Sequence, residues 1–223
     1  GFFNLYWKGG YSREVLLANL GKQFEMSQLS FKPYPCCRYA HGSIEATLKI
    51  VLDQNLLPSE VSEVLVHVPT LKFFDLVSRP FEIKSDPQVD AQFSIPYTTA
   101  AAILRRRVFL DDFEEEAIRD PQVMEWSQKV KVQQDLKVES RASLGPVVVE
   151  IRTNAGKTFF AEVKKFKGSP ERPLSMEECQ DKFRQCTRFS FRPMNEDRAE
   201  AIVEMVGRLE DLQDVRELTN LLG

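Results

Sequence analysis

Four short stretches of the chain alternate apolar and polar residues, and they do not take strict turns with helices. That pattern limits the fold more than any other feature. In "VSEVLVHV" (61–68), Val64, Val66 and Val68 share one face while Glu63, Leu65 and His67 share the other. This period of two marks a strand buried on one side. "KVKVQQD" (129–135) carries Val130 and Val132 on one face, "PVVVEIRT" (146–153) carries Val147, Val149 and Ile151, and "KTFFAEV" (157–163) carries Phe159, Ala161 and Val163. "TNAGK" between the last two predicts a tight hairpin turn, with Gly156 free to take a positive φ. One strand stands early and three stand late, so the chain reads as α+β, with a sheet of about four strands, antiparallel or mixed.

Helical spacing fills most of the rest. "SREVLLANL" (12–20) predicts a short helix capped by Ser12 and stopped by Gly21, with Val15, Leu16 and Leu20 on one face. "GSIEATLKIVLDQNLL" (42–57) aligns Ile44, Leu48, Val51 and Leu52, with Ser43 as its cap and Pro58 after it. A second apolar helix is expected over 71–77, and "SRPFEIKSDPQVDAQ" (78–92) reads as a loop. "SIPYTTAAAILRRR" (94–107) predicts a helix with Pro96 in its first turn and a centre of small residues. "DDFEEEAIRD" and "PQVMEWSQ" read as two more short helices. After the Pro-rich "GSPERPL", Ser175 and Glu178 form a capping box. "NEDRAEAIVEMVGRLEDL" is amphipathic through Ile202, Met205, Val206 and Leu209, and "DVRELTNLL" adds a final turn or two. This tail is expected to pack on something other than the sheet.

Composition excludes several classes of function. Thirty basic and thirty-three acidic residues among 223 give a net charge of −3, so no basic face for nucleic acid is indicated. No apolar run approaches the roughly 20 residues that cross a bilayer, and no signal peptide is visible. The four cysteines, at 36, 37, 179 and 186, include no Cys-x-x-Cys pair, and with two histidines they leave too few spaced ligands for zinc. Free thiols and a cytoplasmic setting are expected. The chain opens on "GFFNLYWKGG", aromatic and without Met, which reads as part of a longer or processed protein.

"FKPYPCCRYAHG" (31–42) concentrates the chemistry. Pro33 and Pro35 force Lys32 and Tyr34 toward extended backbone, so the stretch is a stiff approach to the helix expected near Ser43. A helix start offers free N–H groups and a positive dipole end to an anion. Lys32, Arg38 and His41 could converge there on a carboxylate. The alternative is a plain connector with solvated charges. A Cys36 or Cys37 nucleophile has no evident partner, and His67 reads as surface or packing.

Several segments taken in order resemble the MmgE/PrpD family, which includes 2-methylcitrate dehydratases, cis-aconitate decarboxylases and iminodisuccinate epimerases. They are "LGKQFEMSQLSFKPYPCCRYAHGSIEA", "DAQFSIPYTTAAAIL", "KGSPERPLSMEECQDKF" and "LEDLQDVRELTNLL". The resemblance spans nearly the whole chain. It implies that residues 1–28 end one part of a helical domain, 29–168 form an α/β lid domain, and 169–223 are a linker with helices returning to the helical domain. It implies a cofactor-free and metal-free lyase, here a 2-methylcitrate dehydratase type active in propionate catabolism, acting on a small di- or tricarboxylate in a cleft between domains. An epimerase, a decarboxylase, or a lid fragment serving only in binding or assembly are the alternatives. It further implies a homodimer, with Lys32 and His41 as catalytic residues and Lys32, Cys37, Arg38 and Tyr97 as substrate contacts. Some relatives, the decarboxylases among them, resemble this chain but carry a histidine where Cys37 stands, which weakens the decarboxylase alternative. Gln92, Ser94 and Tyr97 match the family pattern and also suit capping and packing.

Overall fold

The computed structural model describes residues 1–69, 71–134, 144–192 and 194–223. Two compact units emerge, Gly1–Ser30 and Phe31–Gly223. The first holds α1 (Phe2–Trp7), α2 (Arg13–Leu17) and a 3-10 turn, Glu25–Gln28. Ser12 caps α2 by accepting from the Val15 N–H. The helix is shorter than its sequence period suggests, because Ala18 already leaves helical geometry.

In the second unit, α3 (His41–Asp53) precedes β1 (Val61–Val68) and α4 (Leu71–Ser78). Then come α5 (Pro87–Gln92), α6 (Ile95–Arg105), α7 (Glu115–Ile118) and α8 (Pro121–Ser127). The remaining strands are β2 (Val130–Gln134), β3 (Val147–Thr153) and β4 (Thr158–Val163); Asp135 of the expected strand lies outside the described residues. The tail forms α9 (Met176–Thr187), α10 (Glu196–Gly207) and α11 (Arg216–Leu222).

The four strands form one mixed sheet in the order β2-β1-β3-β4. β1 pairs parallel with β2 and antiparallel with β3, which pairs antiparallel with β4. A parallel neighbour requires a long crossover, and α4 to α8 supply it. Val64, Val66, Val147, Val149 and Ile151 are fully buried, as their alternation requires. α3 packs on β3 and β4 and against α6, which also meets β2 and α8. The small residues Ala100, Ala101 and Ala102 of α6 are buried and allow that close approach.

The opposite face of the sheet is a charge lattice. Arg152 joins Glu63 (2.9 Å) and Glu150 (2.6 Å), Lys131 joins Glu63 (2.7 Å), and His67 lies 3.6 Å from Glu150. His67 is thus a surface residue.

Local chemistry sets the helix starts, with instructive departures. Ser94 caps α6 by accepting from the Tyr97 N–H, and Ser175 and Glu178 close the capping box of α9. The expected loop at 78–92 contains α5, because Asp86 accepts from the Val89 N–H and Pro87 suits the first turn. The expected acidic helix divides into a 3-10 turn, Leu110–Phe113, and α7. Asp112 turns inward there and accepts from Arg105 (2.6 Å) and from the Phe109 N–H (2.6 Å). Ser43 is not a cap: α3 begins two residues earlier, and the Ser43 hydroxyl donates to the Ala40 carbonyl (2.9 Å). Leu52 is exposed rather than part of the buried stripe, which runs through Ile44, Thr47, Ile50 and Val51. The tail helices pack in series, α9 on α10 and α10 on α11.

Candidate functional site

The stretch from Phe31 to His41 is a bend held from four sides. The Phe31 N–H donates to the Gly168 carbonyl (2.8 Å), and the Cys37 N–H donates to the Gln92 carbonyl at the end of α5 (2.9 Å). Arg38–Ala40 form a 3-10 turn that runs directly into α3. The His41 N–H is used in that turn, by the Arg38 carbonyl. Gly42 packs so closely that a Cβ on it would lie 2.7 Å from the Phe166 ring. The start of α3 is therefore a packed joint, and its N–H groups do not form the open anion cradle that the sequence suggests.

Arg38 organises the joint. Its Nη1 donates to the Lys167 carbonyl (2.7 Å) and its Nη2 to the Phe166 carbonyl (3.3 Å), with the guanidinium over the Phe166 ring at 5.6 Å. Nη1 also lies 3.1 Å from His41 Nδ1. Arginine has no acceptor, so His41 Nδ1 must accept, and the ring proton sits on Nε2, which donates to the Cys36 carbonyl (3.4 Å). Both imidazole nitrogens are engaged, and Tyr34 meets the ring edge-on at 5.2 Å.

Electrostatics follow from burial. His41 is 1% exposed, and burial, with Arg38 next, lowers its pKa to about 3. It is neutral across the physiological range. Burial raises the Cys36 thiol to about 12 and also pushes the Tyr34 phenol upward. These three groups stay uncharged, and the field here comes from nearby cations and from Glu45, which acts on both Tyr34 and Arg38. Arg38, Lys32 and Lys182 all act on His41 and lower its pKa. Among the described residues none of the three pairs with a carboxylate: Arg38 meets carbonyls and His41, and Lys182 Nζ donates to the Lys32 carbonyl (2.6 Å). The nearby Glu45 pairs with Arg172, and its charge also favours the Arg38 cation.

The structure thus gathers Lys32, Cys37, Arg38 and His41 on one bend, with Lys32 exposed and Cys37 half-buried. Tyr97 is placed differently. Its ring is fully buried between Phe81 and Phe113, and its hydroxyl donates to the Asp112 carbonyl. Burial raises its pKa to about 12. Gln92 contributes its carbonyl and Ser94 its cap, both structural uses. Lys182 was not legible as a site residue. It lies 150 positions from Lys32, and no local spacing signals that contact. No group of three or more metal-binding side chains is present among the described residues, and no helix among them is long and apolar enough to cross a membrane.

Comparison with known proteins by sequence places the chain in a family. Residues 34–208 match the MmgE/PrpD C-terminal domain. The human protein named cis-aconitate decarboxylase is 27% identical over 231 aligned residues, covering all of this chain and 45% of that protein. The mouse protein of the same name is 26% identical over 89% of this chain and 40% of its own length. That of Aspergillus terreus is 25% identical over all of this chain and 47% of its own. The chain therefore spans less than half the length of the curated relatives it matches. Because the family match takes in the bend from Tyr34, the whole sheet and the first two tail helices, the chain belongs to the MmgE/PrpD family through its C-terminal domain.

Proposed function

We propose that this chain supplies the carboxylate-binding wall of a cofactor-independent lyase acting on a small tricarboxylate, with dehydration of a 2-methylcitrate-like acid as the reaction. The observation that carries this reading is Lys32, exposed on the bend beside Arg38, whose guanidinium meets backbone carbonyls and neutral His41. An exposed cation beside neutral side chains is suited to an anion, and charge-assisted hydrogen bonds give it strength. Lys32 is the exposed member and is the proposed direct contact to a substrate carboxylate. Arg38 is anchored to two backbone carbonyls, so it sets the field and the shape of the bend.

Dehydration removes a proton α to a carboxylate and expels hydroxide from the neighbouring carbon. The cations favour the first step by stabilising the carboxylate as it takes on negative charge; the second step moves that charge to the departing oxygen, which leaves as water once a general acid has given it a proton. Neutral His41 acts as a positioning residue through Arg38 and the Cys36 carbonyl. Cys37 presents its half-buried thiol at the same bend and is a proposed secondary contact. Decarboxylation of cis-aconitate is the second reading, favoured by the names of the relatives. It needs the same cations and a proton delivered to carbon in place of a leaving hydroxide.

Product analysis separates the two. Dehydration of 2-methylcitrate creates a C=C bond and raises ultraviolet absorbance, whereas decarboxylation of cis-aconitate releases carbon dioxide. Lys32→Ala is expected to lower kcat/KM for the true substrate by about 10- to 100-fold, the size of one lost charge-assisted contact. Undiminished turnover in Lys32→Ala would return the bend to the role of a connector.

A further inference from the structure

A concave site borders the same bend at Pro33 and Tyr34. It is a cavity of about 330 Å³ between Pro33 and Tyr34, the residues after α6, and α9. Arg106, Arg107, Lys167 and Lys182 line it, against the two carboxylates of Glu178 and Asp181. The charges are unevenly satisfied. Lys167 pairs with Glu178, Arg107 with Asp111, and Asp181 with Arg184 outside the cavity (3.0 Å). Among the described residues Arg106 reaches neutral acceptors, the Leu56 carbonyl (3.2 Å) and Asn55 Oδ1 (3.1 Å). Among the described residues Lys182 reaches the Lys32 carbonyl. Two cations of the lining thus have no counter-charge among the described residues. The basic run Arg105–Arg107 is therefore not a uniform solvated face. Arg105 and Arg107 serve Asp112 and Asp111, and Arg106 ends α6 in the left-handed region (φ 55) on the cavity wall.

The rest of the lining selects among anions. Pro33, Leu48, Val108 and Leu174 give the cavity an apolar strip. A bare inorganic anion leaves that strip wet, whereas a short carbon chain covers it. The volume is at the small end of ligand pockets. We propose that this cavity is a second anion site, distinct from the Lys32 contact, which takes a small aliphatic di- or tricarboxylate with its charged ends on Arg106 and Lys182. Because Lys182 also holds the Lys32 carbonyl, such a ligand ties α9 to the bend and links the two sites.

The test titrates citrate calorimetrically into the full chain carrying Lys32→Met, which removes the exposed cation of the proposed substrate contact and isolates the cavity. Saturable binding of one citrate is expected. Adding Arg106→Gln or Lys182→Gln weakens it at least tenfold, the effect of losing one charge-assisted contact. Inorganic phosphate at equal ionic strength binds at least tenfold more weakly than citrate. Lys182→Gln changes a partly exposed side chain, so it reports even if Arg106→Gln perturbs the end of α6. No saturable binding to the Lys32→Met protein overturns the proposal. So does citrate affinity that neither further substitution changes, or phosphate binding as tightly as citrate.

Discussion

Replacing His41 by glutamine should remove a defined part of the acid sensitivity of the fold. In the folded chain the His41 pKa lies near 3, against an ordinary 6.5, because the ring is buried beside the Arg38 guanidinium. The unfolded chain therefore binds one more proton than the folded chain at any pH between these values. Stability from this residue is fully present above pH 6.5. It falls as pH drops below 6.5 and levels off only near 3. The slope in that window is about 1.4 kcal/mol per pH unit. Between pH 7 and pH 5 the loss is about 2 kcal/mol, a large share of the 5–15 kcal/mol that usually holds a domain together. Glutamine can accept from Arg38 and donate to the Cys36 carbonyl, as His41 does, but it does not titrate. Urea unfolding of wild type and His41→Gln at pH 7 and pH 5 gives the comparison, since carboxylates titrate alike in both and cancel. The wild type should lose about 2 kcal/mol more than the variant. Equal losses, within about 0.5 kcal/mol, would mean that His41 is solvated or charged in the folded chain and would refute the reasoning.

Two further substitutions test the supports of the site. Gly168 has φ +80, and a methyl there would collide with the Phe31 carbonyl oxygen, so Gly168→Ala should cost about 2 kcal/mol or more in chemical unfolding and disturb the Lys32 bend with it; a change below about 0.5 kcal/mol would show that the bend is not held there. Tyr97→Phe removes the buried donor to the Asp112 carbonyl and should lower stability by about 1–2 kcal/mol while leaving KM unchanged; a raised KM with unchanged stability would make Tyr97 a substrate contact after all.

Much of the secondary structure is legible residue by residue because its causes are local. Val64, Val66 and Val68 alternate because successive strand side chains face opposite ways. Ser94 and Ser175 mark helix starts because a side-chain oxygen two or three residues upstream is the nearest acceptor for a free N–H. The misreadings are local competitions. Asp86-Pro87 signals a turn as readily as a capped helix, and α5 takes the second option. At Ser43 a 3-10 turn built on Cys37 and Arg38 delivers the helix early, and the serine hydroxyl is left to bond backward to Ala40.

Sequence by itself determined most of the elements, the hairpin at Gly156, and the resemblance that singled out Lys32, Cys37, Arg38 and His41. Only the tertiary structure decided what those residues are to one another. Strand order and the parallel β1–β2 pairing depend on contacts across 66 residues or more, which no local period encodes. The approach of Lys182 to Lys32 spans 150 positions. The character of His41 was settled in the same way. Its neutral state comes from burial under Tyr34 and from an arginine held by the distant carbonyls of Phe166 and Lys167. A side chain's pKa is a property of its surroundings, and these surroundings exist only once the chain has folded.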